Sequence, residues 1–133
     1  MNLKSSLSAG VAAIGLLLLA GQPSLAADAK AEIDTAGVHA GLAAGSPDLA
    51  MLQKHLHHVI NCLVGPKDAA FDAAPGNPCK DQGMGAIPDS SAAGQKSLEA
   101  AVKMAKDNLG QMDLAKAKEQ ATALQAALKK AAM

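Results

Sequence analysis

Arginine, tryptophan and tyrosine are missing from this 133-residue chain, and Phe71 is its single phenylalanine. A β-sandwich or barrel draws on runs of β-branched and aromatic residues, so this composition speaks against both. Nucleic-acid binding lacks its two usual supports. The formal net charge is zero, with 12 basic and 12 acidic residues, and no aromatic platform exists for base stacking. Disorder does not fit a chain that is 50% hydrophobic. Long apolar runs are absent too: Val11 to Ala20 is the best of them, about half of the ~20 residues that cross a bilayer. No phosphate loop, zinc-protease His-Glu-x-x-His or Ser-His-Asp signature is present, and the expectation is a protein that is not an enzyme.

Alanine is the commonest residue, with 31 copies, and it favours helices. Residues 1–26, MNLKSSLSAGVAAIGLLLLAGQPSLA, read as a secretory leader. Lys4 supplies the positive start and Val11 to Ala20 the apolar stretch. Gly21, Gln22 and Pro23 break that stretch, and Ser24-Leu25-Ala26 offers small residues for cleavage after Ala26. The expectation is a single domain over 27–133, without a membrane span, in the periplasm or outside the cell.

Four helical segments follow. The first covers roughly 28–44, with Ala29, Ile33, Ala36, Ala40 and Ala44 at helical spacing. Gly45 stops it. Ser46 as N-cap, Pro47 at the first helical position and Asp48 at the positive dipole end start the second, over 47–64. Its apolar face is Leu49, Leu52, Leu56, Val59, Ile60 and Leu63. The third starts near Ser90 or Ser91 and reaches Leu109, presenting Leu98, Ala101, Val102, Ala105 and Leu109. The fourth starts from Asp113 as N-cap, with Leu114, Ala117, Ala121, Leu124 and Leu128 inward and Lys129 and Lys130 at its negative end. Short connections within each pair predict an all-α, up-down-up-down four-helix bundle.

Between the second and third segments lies the one long irregular stretch, residues 65–89, dense in Gly, Pro, Asn and Asp. Cys62 and Cys79, the only cysteines, bracket much of it. In an oxidising compartment they are expected to pair and pin the loop; the alternative is that one thiolate ligates a metal. Phe71 and Ile87 are expected to tuck onto the bundle end. Asp68, Asp72, Asp81 and Asp89 lack calcium-loop spacing and read as turn residues.

All four histidines sit in the first hairpin: His39, His55, His57 and His58. At 100° per residue, with Met51 at zero, His55 falls at about 40°, His58 at about −20° and Cys62 at about 20°. Met51, His55, His58 and Cys62 thus form one stripe on the flank of the second helix, while His57 and Asn61 project elsewhere, towards solvent. His39 occupies the corresponding flank of the first helix, offset in height by about 5 Å. His39, His55 and His58 are therefore expected to converge, with Met51 at one end. Imidazoles and a thioether suit copper best, with zinc or nickel next. The plainer reading of the same residues is a solvated polar helix face. Haem held by two His, or by Met51 and a His, is the weaker cofactor, because one Phe and many Ala line a haem cavity poorly.

The segment HAGLAAGSPDLAMLQKHLHHVINCLVG places a His-bearing helix, a short Gly-containing turn and a second helix with clustered His in sequence. It resembles, over residues 36–65, the small periplasmic His-rich four-helix-bundle metal-binding proteins. The resemblance implies copper or another divalent metal bound through His39, His55 and His58, in buffering or trafficking. Proteins of that type carry His throughout, whereas this chain has none after His58, and they lack the Cys pair and long loop. The rival reading is a non-catalytic periplasmic adaptor that meets a protein partner through the 65–89 loop.

Overall fold

The computed structural model describes residues 25–133 as five helices joined by loops, with no strand among them. Residues 1–24, which hold nearly all of the expected leader, lie outside the described residues. The helices are α1 (Leu25–Gly45), α2 (Leu49–Val64), α3 (Ala86–Asp89), α4 (Ala92–Leu109) and α5 (Leu114–Ala131). None is long and apolar enough to cross a membrane. The single-turn α3 was not expected; it lies inside the stretch read as loop.

The long helices form where the apolar spacing placed them. α1 packs on α2 and α5, and α4 packs on the same two, so the fold is all-helical and bundle-like. Leu52, Leu56 and Leu63 of α2, Leu98 of α4, and Leu124 and Leu128 of α5 are fully buried. Between them Ala36, Ala40, Ala105, Ala117 and Ala121 are sealed from solvent, and their small side chains let the backbones approach closely. Phe71 and Ile87 pack against the core from the connecting stretch, as expected. Two side chains tie helix to helix across the core edge: Gln53 donates to the Leu109 carbonyl at 3.2 Å and Gln125 to the Gly37 carbonyl at 3.4 Å.

Helix ends follow elementary capping, with one correction. Asp48, not Ser46, caps α2: its Oδ1 accepts the Met51 N–H at 2.8 Å. Ser46 is instead buried, and its hydroxyl bonds back to the Leu42 carbonyl at 2.9 Å, finishing α1. Both residue types are good caps, and the tightness of the turn decides which of them reaches the next helix. Asp113 caps α5 as expected, accepting from Lys116 N–H at 3.0 Å.

The 65–89 stretch is tied down along its length. Cys62 and Cys79 form a disulfide with Cα atoms 5.2 Å apart. Gly65 and Gly85 cross backbone to backbone. Gly65 has φ +76°, and a Cβ there would collide with the Met84 carbonyl, so glycine is required. Two buried carboxylates hold the far end: Glu32 accepts from Gly85 N–H at 2.8 Å and Asp89 from Met84 N–H at 2.6 Å. Asp68 and Asp72 accept from the N–H two residues on, at 2.7 and 2.9 Å, which is the turn chemistry expected of them.

Candidate metal centre

His39 comes from the middle of α1, and His55 and His58 from the middle of α2. The α1–α2 turn sets these helices side by side, and the flanks that carry the histidines meet. Nδ1 of His39 lies 3.2 Å from Nδ1 of His55 and 3.2 Å from Nδ1 of His58. Ring centroids are separated by 5.4 Å for His39–His55, 4.7 Å for His39–His58 and 5.7 Å for His55–His58. One ligand nitrogen from each can be chosen so that all three lie within 4.8 Å of one another. The convergence expected from helical projection is present.

The spacing has chemical meaning. In tetrahedral coordination at about 2.0 Å, neighbouring ligand nitrogens stand about 3.3 Å apart. Both Nδ1–Nδ1 separations match that edge. His58 is oriented further by its other nitrogen: Nε2 lies 2.7 Å from the Pro75 carbonyl. A carbonyl only accepts, so Nε2 carries the proton, and in the neutral ring Nδ1 then presents a lone pair inward. His39 Nδ1 then faces two other nitrogens and holds at most one proton between them.

Electrostatics favour the neutral form of His39 and His55. Burial, then the neighbouring His58 and His55, lower the His39 pKa from 6.5 to about 4. Burial, then His58 and Lys54, push His55 down as well. Neutral imidazoles are the ligating form, so His39 and His55 are poised to bind near neutral pH without first losing protons.

Comparisons with protein-family models, with curated proteins and with solved structures find no match.

The remaining sequence candidates divide. Cys62 is buried in the disulfide, so no thiolate is present to ligate a metal. Met51 stands one turn before His55 in the first turn of α2, with its residue 42% exposed. His57 lies outside the cluster; its Nδ1 is 3.6 Å from the Asp72 carboxylate. Asn61, expected to face solvent, is only 1% exposed. The expectation failed because the connecting stretch folds back over this flank: Asn61 Nδ2 donates to the Asp72 and Gly76 carbonyls at 2.6 and 2.8 Å, and its Oδ1 accepts the Asp72 N–H at 2.9 Å. Asn61 and Pro75 were missed as contributors to the centre. Asn61 did leave a trace, as the one polar residue in the apolar run Val59-Ile60-Asn61-Cys62-Leu63-Val64.

Proposed function

We propose that this chain is an exported metal-binding protein that holds a late first-row divalent ion, copper above zinc or nickel, through His39, His55 and His58. The observation that carries the reading is the pair of 3.2 Å Nδ1–Nδ1 contacts centred on His39. Three imidazoles form a borderline donor set, and for such sites affinity rises along the series to Cu(II) and drops at zinc. With Cys62 in its disulfide, Met51 and solvent are the remaining candidates for the fourth position. A thioether there adds preference for copper. Three protein ligands and an open position suit exchange, and hence buffering or trafficking, better than a closed structural site. In this reading the long helices make an up-down-up-down bundle, a shape supported by the short links at 46–48 and 110–113. A haem fits less well: a porphyrin must slide between its two axial ligands, and rings with centroids 4.7–5.7 Å apart leave no such slot.

Equilibrium dialysis against copper, nickel and zinc tests the reading. One equivalent per chain is expected to bind, copper tightest. Replacing His39, His55 and His58 together by Ala is expected to abolish binding. Undiminished uptake by that triple variant would sink the assignment.

A further inference from the structure

The stretch between Asp72 and Gly76 meets the histidine cluster through the Pro75 carbonyl, and that atom is held from below. Asn61 lies three residues after His58 on α2. Its amide spends its hydrogen-bonding capacity on this stretch: two donations, to Asp72 and Gly76, and one acceptance, from Asp72. These bonds fix the backbone on both sides of Pro75. The Cys62–Cys79 bond anchors the same segment one residue further along α2. The Pro75 carbonyl then receives the His58 Nε2–H at 2.7 Å.

We infer that Asn61 is the positioning residue of the metal centre: by holding Pro75 in place it locks His58 as the Nε2–H tautomer and so makes Nδ1 its ligating atom. This rests on the metal-binding reading above for its purpose, but not for its test. A buried asparagine is costly unless every group is satisfied. Here all three bonds go to one loop, and the loop's hydrogen bond to the cluster sets a proton. Hydrogen bonds to the distal nitrogen of a ligating His orient the ring and choose its tautomer, and losing such outer partners weakens binding by about 10- to 100-fold. The neutral ring otherwise divides between two tautomers, and the Nδ1–H form would point a hydrogen, not a lone pair, at His39.

Nitrogen-15 NMR of the metal-free protein at about pH 8, where neutral imidazole predominates, reads the tautomer directly. Zinc titration of the same samples reads affinity. In the wild type, His58 is expected almost wholly as the Nε2–H form. In Asn61→Ala, with helicity retained by circular dichroism, His58 is expected to populate both tautomers and zinc affinity to fall by about 10- to 100-fold. A folded Asn61→Ala protein with His58 still locked and zinc affinity unchanged would overturn the inference. If that variant fails to fold, the wild-type spectrum still decides: His58 protonated on Nδ1, or split between tautomers, refutes it. Asn61→Asp, which keeps the acceptor but turns a second carboxylate oxygen towards the Asp72 and Gly76 carbonyls, is expected to release His58 at least as far as Asn61→Ala. Should the wild type bind no copper, nickel or zinc while His58 is locked and released by Asn61→Ala, the metal-binding reading falls and the positioning role of Asn61 stands.

Discussion

The two helical hairpins bury polar groups for different ends. In the α4–α5 pair, Leu98, Ala101, Ala105, Ala117, Ala121 and Leu124 are buried, and Asn108 is the one buried polar side chain of these two helices. Asn108 closes the turn between its own helices: Nδ2 donates to the Ala117 carbonyl at 2.9 Å, and Oδ1 finds no partner among the described residues. In the α1–α2 pair, Asn61 is equally buried, yet its bonds go to a loop and, through Pro75, end at a histidine. The α4–α5 pair also lacks histidine altogether. One asparagine finishes a chain reversal, and the other aims a side chain. Polar burial marks a site when it leads to convergent donors, and burial alone does not.

The largest break in this contrast comes from the centre itself. His39 is the shared partner in both Nδ1 contacts. His39→Ala is therefore expected to weaken copper binding by more than about 100-fold, beyond the loss that follows removal of an outer partner. His57→Ala, outside the cluster, is expected to leave it within about twofold, as for a surface change away from the site. Isothermal titration of both variants measures the difference; equal losses would show that the two histidines act alike and that the cluster has no special standing.

Next in size is the disulfide. A bond closing a loop between residues 17 apart contributes about 3 kcal/mol in the chain-entropy model. Urea unfolding with and without a dithiol reductant is expected to show a loss of that order. An unchanged midpoint would mean that the loop's hydrogen bonds hold it without the covalent link. The two asparagines come after that. Asn61→Ala removes three hydrogen bonds, for about 3 kcal/mol, whereas Asn108→Ala removes one, for about 1 kcal/mol. Equal destabilisation would erase the distinction between the hairpins.

How much of this was legible in sequence depends on the range of the forces involved. The long helices were visible because apolar spacing of 3.6 is a local property, and Leu52, Leu56, Leu98, Leu124 and Leu128 lie where it put them. The meeting of His39, His55 and His58 was legible because a three-residue turn leaves two adjacent helices little freedom of register. The disulfide followed from two cysteines and an expected leader. Asn61 and Pro75 were not legible, since the path of a 25-residue stretch is set by contacts far apart in sequence. Projection could place Asn61 off the apolar face but could not know that a loop would cover that flank. The α2 cap slipped by two residues for a similar reason: Ser46, Pro47 and Asp48 all favour a helix start, and the α1 C-terminus took Ser46 for itself.

Acidity provides the smallest and most specific separation of the two hairpins. A histidine whose pKa is lowered on folding leaves its contribution intact above the unfolded value, where both states are neutral. As pH falls below 6.5 the unfolded chain takes up a proton that folded His39 refuses until about 4, so stability is lost across that window and levels off beneath it. His55 is lowered too and adds in the same direction. Both rings are only half-buried, so solvent screens the effect and the slope is expected to be shallow. Melting of the metal-free protein between pH 7 and 4 should therefore show a gentle fall, and His39→Ala should flatten the part that His39 supplies. A slope identical in that variant would place the acid sensitivity elsewhere. A slope that His39→Ala removes would show that the burial, and after it the crowding of imidazoles, which suit the centre to a cation also make it reluctant to hold protons.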